Sequence, residues 1–125
     1  MELLAAALKA AANAYAPYSG FHVGAAVLTE TGNTFVGCNV ENASSGLAIC
    51  AERAAIAAAV TAEGPGMRLA SVAVANREGN PCSPCGACRQ VMVEFGDPWV
   101  LFPGPEGEPV EARASELMPY GFTLD

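Results

Sequence analysis

Basic residues are scarce in this chain. Lys9, Arg53, Arg68, Arg77, Arg89 and Arg113 are all it has, and the formal net charge is −7. A protein that grips a phosphate backbone neutralises it with clustered Lys and Arg, so a polynucleotide substrate is not expected. Also missing are a low-complexity tail, a Ser- or Pro-rich linker and any internal repeat. No apolar run reaches the roughly 20 residues that span a bilayer, which excludes a transmembrane helix. The opening MELLAAALKAAANAY is apolar. However, its first charge is acidic, Lys9 interrupts it and no basic region precedes it, so it does not read as a signal peptide. A soluble, cytoplasmic protein with no membrane partner is expected. Disulfides are disfavoured in that compartment, so the five cysteines point to metal binding or catalysis.

What is present suits one domain over residues 1–125, and 52% of the residues are apolar. A chain of this size buries roughly two thirds of its unfolded surface. Alanine supplies most of the apolar character, which implies close approach of helices to sheet rather than bulky packing. Helical spacing predicts a first helix over 2–15, with Glu2, Lys9 and Asn13 outward and Leu4, Leu8, Ala11, Ala12 and Tyr15 inward. The nearly continuous apolar run 22–29 predicts a strand covered on both faces. Glu30-Thr31-Gly32-Asn33 then turns into a second strand near 34–39, as an antiparallel hairpin. Further along come a helix from about Ala48 to Glu63, a buried strand over 69–75, and a helix to Phe95 with Ser83 as cap and Pro84 at its first position. Strands at Trp99–Phe102 and Val110–Ala112 and a last helical turn near Ser115–Met118 complete the series. The order α-β-β-α-β-α-β-β implies an α/β fold, a mixed sheet with helices on both faces.

The helix from Ala48 to Glu63 is Ala, Ile, Val and Thr all round after Ile49, except for Cys50, Glu52, Arg53 and Glu63. A helix apolar on every side belongs to an interior, and buried charge needs a partner. A Glu–Arg ion pair with Cys50 as a small filler would satisfy that need. Adjacent helical positions cannot share a lateral face, so Cys50 and Glu52 can converge only on a site off the helix N-terminus. Cys85-Gly86-Ala87-Cys88 supplies one: it has the C-x2-C spacing of zinc ligands at another helix start. Two helix N-termini favour thiolates. Three protein ligands leave zinc's fourth position open, the catalytic rather than the structural arrangement. Cys82-Ser83-Pro84-Cys85 is also C-x2-C, so Cys50, Cys82, Cys85 and Cys88 could close a structural site. Cys82 lies outside the helix, however, and a loop filler is the simpler role.

Four blocks extend the pattern: AYAPYSGFHVGAAV (14–27), GCNVENASSGLAICAERAAI (37–56), SPCGACRQV (83–91) and LMPYGF (117–122). With them the chain resembles the small zinc-dependent cytidine deaminases, over nearly its whole length. The zinc signature is shared by zinc deaminases in general; the NVENAS block narrows the resemblance to free nucleosides. The resemblance implies a three-layer α/β/α fold with a mixed five-stranded sheet, one zinc per subunit and a homotetramer with active sites shared between subunits. It implies hydrolytic deamination of cytidine and deoxycytidine in pyrimidine salvage, releasing ammonia. Cys50, Cys85 and Cys88 would hold zinc, and Glu52 would move protons. Asn39 and Glu41 would meet the ribose, on the same side of an extended segment by their i, i+2 spacing. Phe21 would pack on the pyrimidine, the Ala51 N–H and Ser83 carbonyl would read the base edge and amino group, and Phe122 would close the site of a neighbouring subunit.

Zinc with three thiolates carries a formal charge of −1, and Arg53 is the candidate to offset it by hydrogen bonds to ligand sulfur. Plainer roles exist for several residues: packing for Phe21 and Phe122, loop caps for Asn39 and Glu41. Strand positions suit His22 and Cys38, and a structural contact suits Arg89. Three other functions compete. Deamination of a cytosine-containing antibiotic is opposed by the NVENAS block. A nucleotide substrate would need basic residues for its phosphate. A zinc-stabilised binding module would leave Glu52 without a purpose.

Overall fold

The computed structural model describes residues 2–124. Its elements are α1 (Glu2–Ala11), β1 (Val23–Thr29), β2 (Thr34–Cys38), α2 (Ala51–Glu63), β3 (Leu69–Asn76), α3 (Gly86–Glu94), β4 (Trp99–Pro103), β5 (Pro109–Arg113) and α4 (Ala114–Leu117), with a 3-10 turn at Ser45–Leu47. The five strands form one mixed sheet in the order β2-β1-β3-β4-β5. β3 and β4 are parallel, while every other neighbouring pair is antiparallel.

Alternation along the central strands sorts the core into two layers. Ala25, Val27, Val72, Val74, Val100 and Phe102 face α2, α3 and α4. Ala26, Ala73 and Leu101 face α1. The result is the expected three-layer α/β/α arrangement. Both helix layers lie close because glycine stands where they touch the sheet. A Cβ at Gly24 would collide with the Ala7 carbonyl and the Ala11 backbone nitrogen, and one at Gly37 would come within 2.6 Å of the Ala55 nitrogen and 2.8 Å of the Ala51 carbonyl.

This topology gathers the chemistry at one edge. β1 runs against both β2 and β3, so β2 and β3 point the same way, and β4 follows β3. Both β2-α2-β3 and β3-α3-β4 are therefore parallel crossovers, and α2 and α3 both start at the edge where β2 and β3 end. Residues 39–50 and 77–85 leave the sheet at that edge, and residue 21 enters β1 there. Crevices at the carboxyl ends of strands are where open α/β sheets bind ligands.

Four expectations need correction. The first helix stops at Ala11 rather than residue 15, because the Tyr15 N–H bonds to the Asn39 carbonyl (3.0 Å) and its carbonyl accepts from the Glu41 N–H (2.9 Å). Ala7 and Ala11 carry the contact of α1 with the sheet, and Leu8, Ala12 and Tyr15 are exposed. The second helix starts at Ala51, not Ala48, since Ile49 bridges Val40 in extended form. Its outer face, Ala57, Ala58, Thr61 and Ala62, meets solvent rather than interior; alanine periodicity carries almost no information about which face is buried. The third helix starts at Gly86 with Cys85 as its cap, not Ser83, and Pro84 is buried ahead of it.

Gly37→Ala drives its methyl into the backbone of the first turn of α2. Such overpacking costs roughly 1–3 kcal/mol, which should lower the melting temperature by roughly 5–15 °C. A thermal scan showing an unchanged midpoint would mean the helix shifts freely, against the close packing described.

Candidate active site

Cys50, Cys85 and Cys88 present three sulfurs that all lie within 4.8 Å of one another. Cys50 Sγ is 3.8 Å from Cys85 Sγ, and Cys85 Sγ is 3.3 Å from Cys88 Sγ. Zinc–sulfur bonds of roughly 2.3 Å in a tetrahedron put ligand sulfurs about 3.8 Å apart, so the three fit that ion. Two helix starts produce the cluster. Cys50 and Cys85 occupy the N-cap positions of α2 and α3, and Cys88, at the third position of α3, is brought over Cys85. The Cys88 N–H donates to Cys85 Sγ at 3.4 Å, whereas no side chain caps α2.

Thiol protonation follows from this crowding. The neighbouring Cys88 thiol is the largest influence holding the Cys50 thiol down to about 5, helped by Arg53 and Cys85 and opposed by burial. Cys50 and burial in turn push Cys88 up. Metal binding needs all three sulfurs deprotonated, and so would release the protons they hold. Arg53 Nη2 donates to Cys50 Sγ at 3.4 Å, while its buried Nε finds no partner among the described residues. That is the contact to ligand sulfur expected of Arg53.

Glu52 is only 5% exposed. Burial is the main cause raising its carboxyl above the ordinary carboxylate range, and the Cys50 charge adds to it. It lines a cavity of about 280 Å³ together with Phe21, Asn39, Glu41, Ala51, Ser83 and Cys50. The structure thus brings together every expected site residue at this edge except Phe122. Phe122 lies away from the cavity at 68% exposure, its backbone held by two hydrogen bonds to the Gln90 side chain (2.9 and 3.0 Å).

Asn39 and Glu41 do cap the backbone, and they face the cavity as well. Asn39 Nδ2 donates to the Phe21 carbonyl and its Oδ1 accepts from the Val23 N–H, both at 2.9 Å. One N–H and one lone pair remain. Glu41 accepts from the Tyr18 and Ser19 N–H groups at 3.0 and 3.1 Å and from the Ser19 hydroxyl. That hydroxyl is the first cause of its lowered pKa. Val23, Ala48, Ile49 and Cys82 also line the cavity. Of these Val23 was legible, since it alternates with Phe21 along an extended run.

Cys82 stays outside the sulfur cluster. Burial, then the nearby Glu52 and Cys50 charges, pushes its thiol up to about 11. Cys38 is half-buried at the end of β2, as expected of a packing residue. Arg89 is structural: its Nε donates to the Pro84 carbonyl at 2.7 Å and its Nη1 to the Leu117 carbonyl at 3.1 Å.

Fold and thiolate cluster together define a zinc-binding deaminase, and comparison with known proteins bears this out. A family model described as the cytidine and deoxycytidylate deaminase zinc-binding region matches residues 1–103. The chain belongs to this family. A protein named cytidine deaminase from Mycobacterium tuberculosis is 44% identical over 119 residues, covering 95% of this chain and 86% of the relative. Another of that name, from Sporosarcina psychrophila, is 44% identical over 126 residues, covering 99% and 91%. The crystal structure of cytidine deaminase from Burkholderia pseudomallei superposes with a TM-score of 0.87 at 47% identity, covering 97% of each chain.

In zinc-loaded protein, Cys82→Ser should keep the metal and Cys88→Ser should lose most of it. Arg53→Gln should release it to a chelator at roughly tenfold lower concentration. Metal analysis after chelator titration reads all three. Zinc loss by Cys82→Ser matching that of Cys88→Ser would make Cys82 a ligand.

Proposed function

We propose that this chain catalyses the hydrolytic deamination of cytidine and deoxycytidine to uridine and deoxyuridine, with release of ammonia, using one zinc ion per subunit. The observation that carries the reading is Glu52: a buried carboxylate, raised in pKa, beside three clustered thiols on the wall of the cavity. The cytidine deaminases to which the chain is 44% identical support the substrate.

Cys50, Cys85 and Cys88 would hold the zinc, which when bound supplies a Lewis acid that activates water near neutral pH. Glu52 takes a proton from the attacking water, delivers one to ring N3 as C4 gains the oxygen, and relays one to the departing amino group. Water and cytidine thereby become uridine and ammonia. Its raised pKa suits a group that must both accept and give a proton near pH 7. No hydrogen bond occupies the Ala51 N–H or the Ser83 carbonyl among the described residues. The first can donate to the base edge and the second can accept from the amino group. Phe21 packs on the ring, and the spare capacity of Asn39 and Glu41 meets the ribose hydroxyls. The Arg53 guanidinium on Cys50 offsets the thiolate charge.

Closure of the site by Phe122 needs a second chain, and the reading includes a homotetramer. Leu47, Ile49, Val40 and Tyr15 form an exposed apolar surface beside the cavity, tied through the Tyr15–Val40–Ile49 bridges. Such patches suit a protein interface. Five unpaired cysteines fit a reducing compartment; the reading sets the enzyme in the cytoplasm, in pyrimidine salvage, which cell fractionation would test.

Purified zinc-loaded protein should release ammonia from cytidine, and Glu52→Ala should keep its zinc while losing about a thousandfold or more in kcat, as for removal of a proton-transfer group. Activity within a few-fold of wild type would remove Glu52 from that role. Phe122→Ala and Glu52→Ala chains reassembled together should exceed the summed activity of the separate variants. No gain would mean that each chain completes its own site.

A further inference from the structure

His22, the sole histidine, takes no part in the chemistry above, yet it sits in a network of its own. It lies between Phe21 and Val23, both of which line the cavity. In an extended run the residue between two such neighbours points away. The Glu78 carboxylate meets it there. Oε1 accepts from the His22 backbone N–H at 3.0 Å, and Oε2 lies 2.9 Å from the ring Nδ1. Arg77 Nη2, which has only protons to give, stands 3.2 Å from Nε2. Nε2 is thus the acceptor, and Nδ1 carries the proton donated to Glu78. The Arg77 N–H also donates to the His22 carbonyl at 2.9 Å.

The three residues are consequently held from two sides. Asn39 secures the Phe21 carbonyl and the Val23 N–H from the cavity side. Arg77 and Glu78, just past the end of β3, secure both backbone groups of His22 from the other. Deleting the Glu78 carboxylate leaves Phe21 tethered by Asn39 and by its N–H to Ser19 Oγ at 3.0 Å, and the His22 carbonyl on the Arg77 N–H, but takes away the partner of the His22 N–H and of its ring Nδ1. Glu52 and the three cysteines sit on α2 and α3 and their caps and share none of these bonds.

We propose that Glu78 is a positioning residue for the wall of the cavity against which the base packs. It acts through His22 to fix Phe21 and Val23 without itself touching substrate. The proposal rests on the reading of Phe21 as the ring contact.

Glu78→Ala should raise KM for cytidine by about tenfold with kcat within about twofold, the pattern of lost binding shared by ground and transition states. Zinc content should match wild type. Glu78→Gln, which keeps an acceptor for the His22 N–H, should recover most of the KM. Two readouts need no substrate: amide exchange at residues 21–23 should accelerate in Glu78→Ala, and the single imidazole in a 1H–15N spectrum should lose its Nδ1-protonated signature. Unaltered exchange and unaltered KM in Glu78→Ala would overturn the proposal, as would a fall in kcat and zinc content at constant KM. A wild-type protein inert toward cytidine would instead remove the proposed reaction, and exchange and the imidazole signal would still decide the role of Glu78.

Discussion

Three thiols and a carboxyl crowded at one edge of a sheet form an arrangement that cannot ionise fully without help. Each proton lost makes the next more costly, because the groups are close and partly or wholly out of water. The crowding lowers the Cys50 thiol, raises Cys88 and raises the Glu52 carboxyl. A dication relieves this as no side chain could, since it lets all three sulfurs ionise together. Other sources of positive potential act in the same direction. They are the N-termini of α2 and α3 and the Arg53 guanidinium.

That concentration of charge is a product of topology. Two parallel crossovers in succession, β2-α2-β3 and β3-α3-β4, bring both helix starts to one edge. Gly37 lets the first turn of α2 sit close to the sheet, where its cap Cys50 meets Cys85, the cap of α3. The hairpin turn holds the other end of α2: Glu63 accepts from Thr29, Thr31 and Asn33, each at 2.9 Å. A helix anchored at its far end and pressed on Gly37 at its start presents Cys50 and Glu52 at a fixed depth. The carboxylate needs that fixed depth, because a shift into water would return its pKa to the ordinary range.

Legibility in the sequence followed the range of each interaction. Cys50, Glu52, Cys85 and Cys88 could be read because their meaning lies in local spacing, and Arg53 because it adjoins Glu52. Strand positions were readable from apolar runs whose partners the topology then supplied. Helix starts were not. Cysteine is not a residue whose propensity marks a cap, and Cys50 and Cys85 cap here because metal chemistry requires them there. The early end of α1 depends on Tyr15 finding Asn39 and Glu41, more than twenty residues on. Alanine left the exposed face of α2 unreadable. The network around His22 was equally hidden, since Glu78 is 56 residues away and no local pattern joins them.

Arg53 shows how binding site and chemistry depend on each other. Its Nη2 has Cys50 as partner, while its Nε is buried with none among the described residues. An unpaired buried N–H costs roughly 1–3 kcal/mol. The sulfur cluster therefore stabilises the arginine as much as the arginine stabilises the cluster. Removing either leaves the other with an uncompensated charge, so zinc affinity and the protonation of Glu52 are coupled through a residue that touches neither the cavity nor the carboxylate. The position of the guanidinium, three residues beyond the cap on the first turn of α2, makes that coupling a property of the helix start itself.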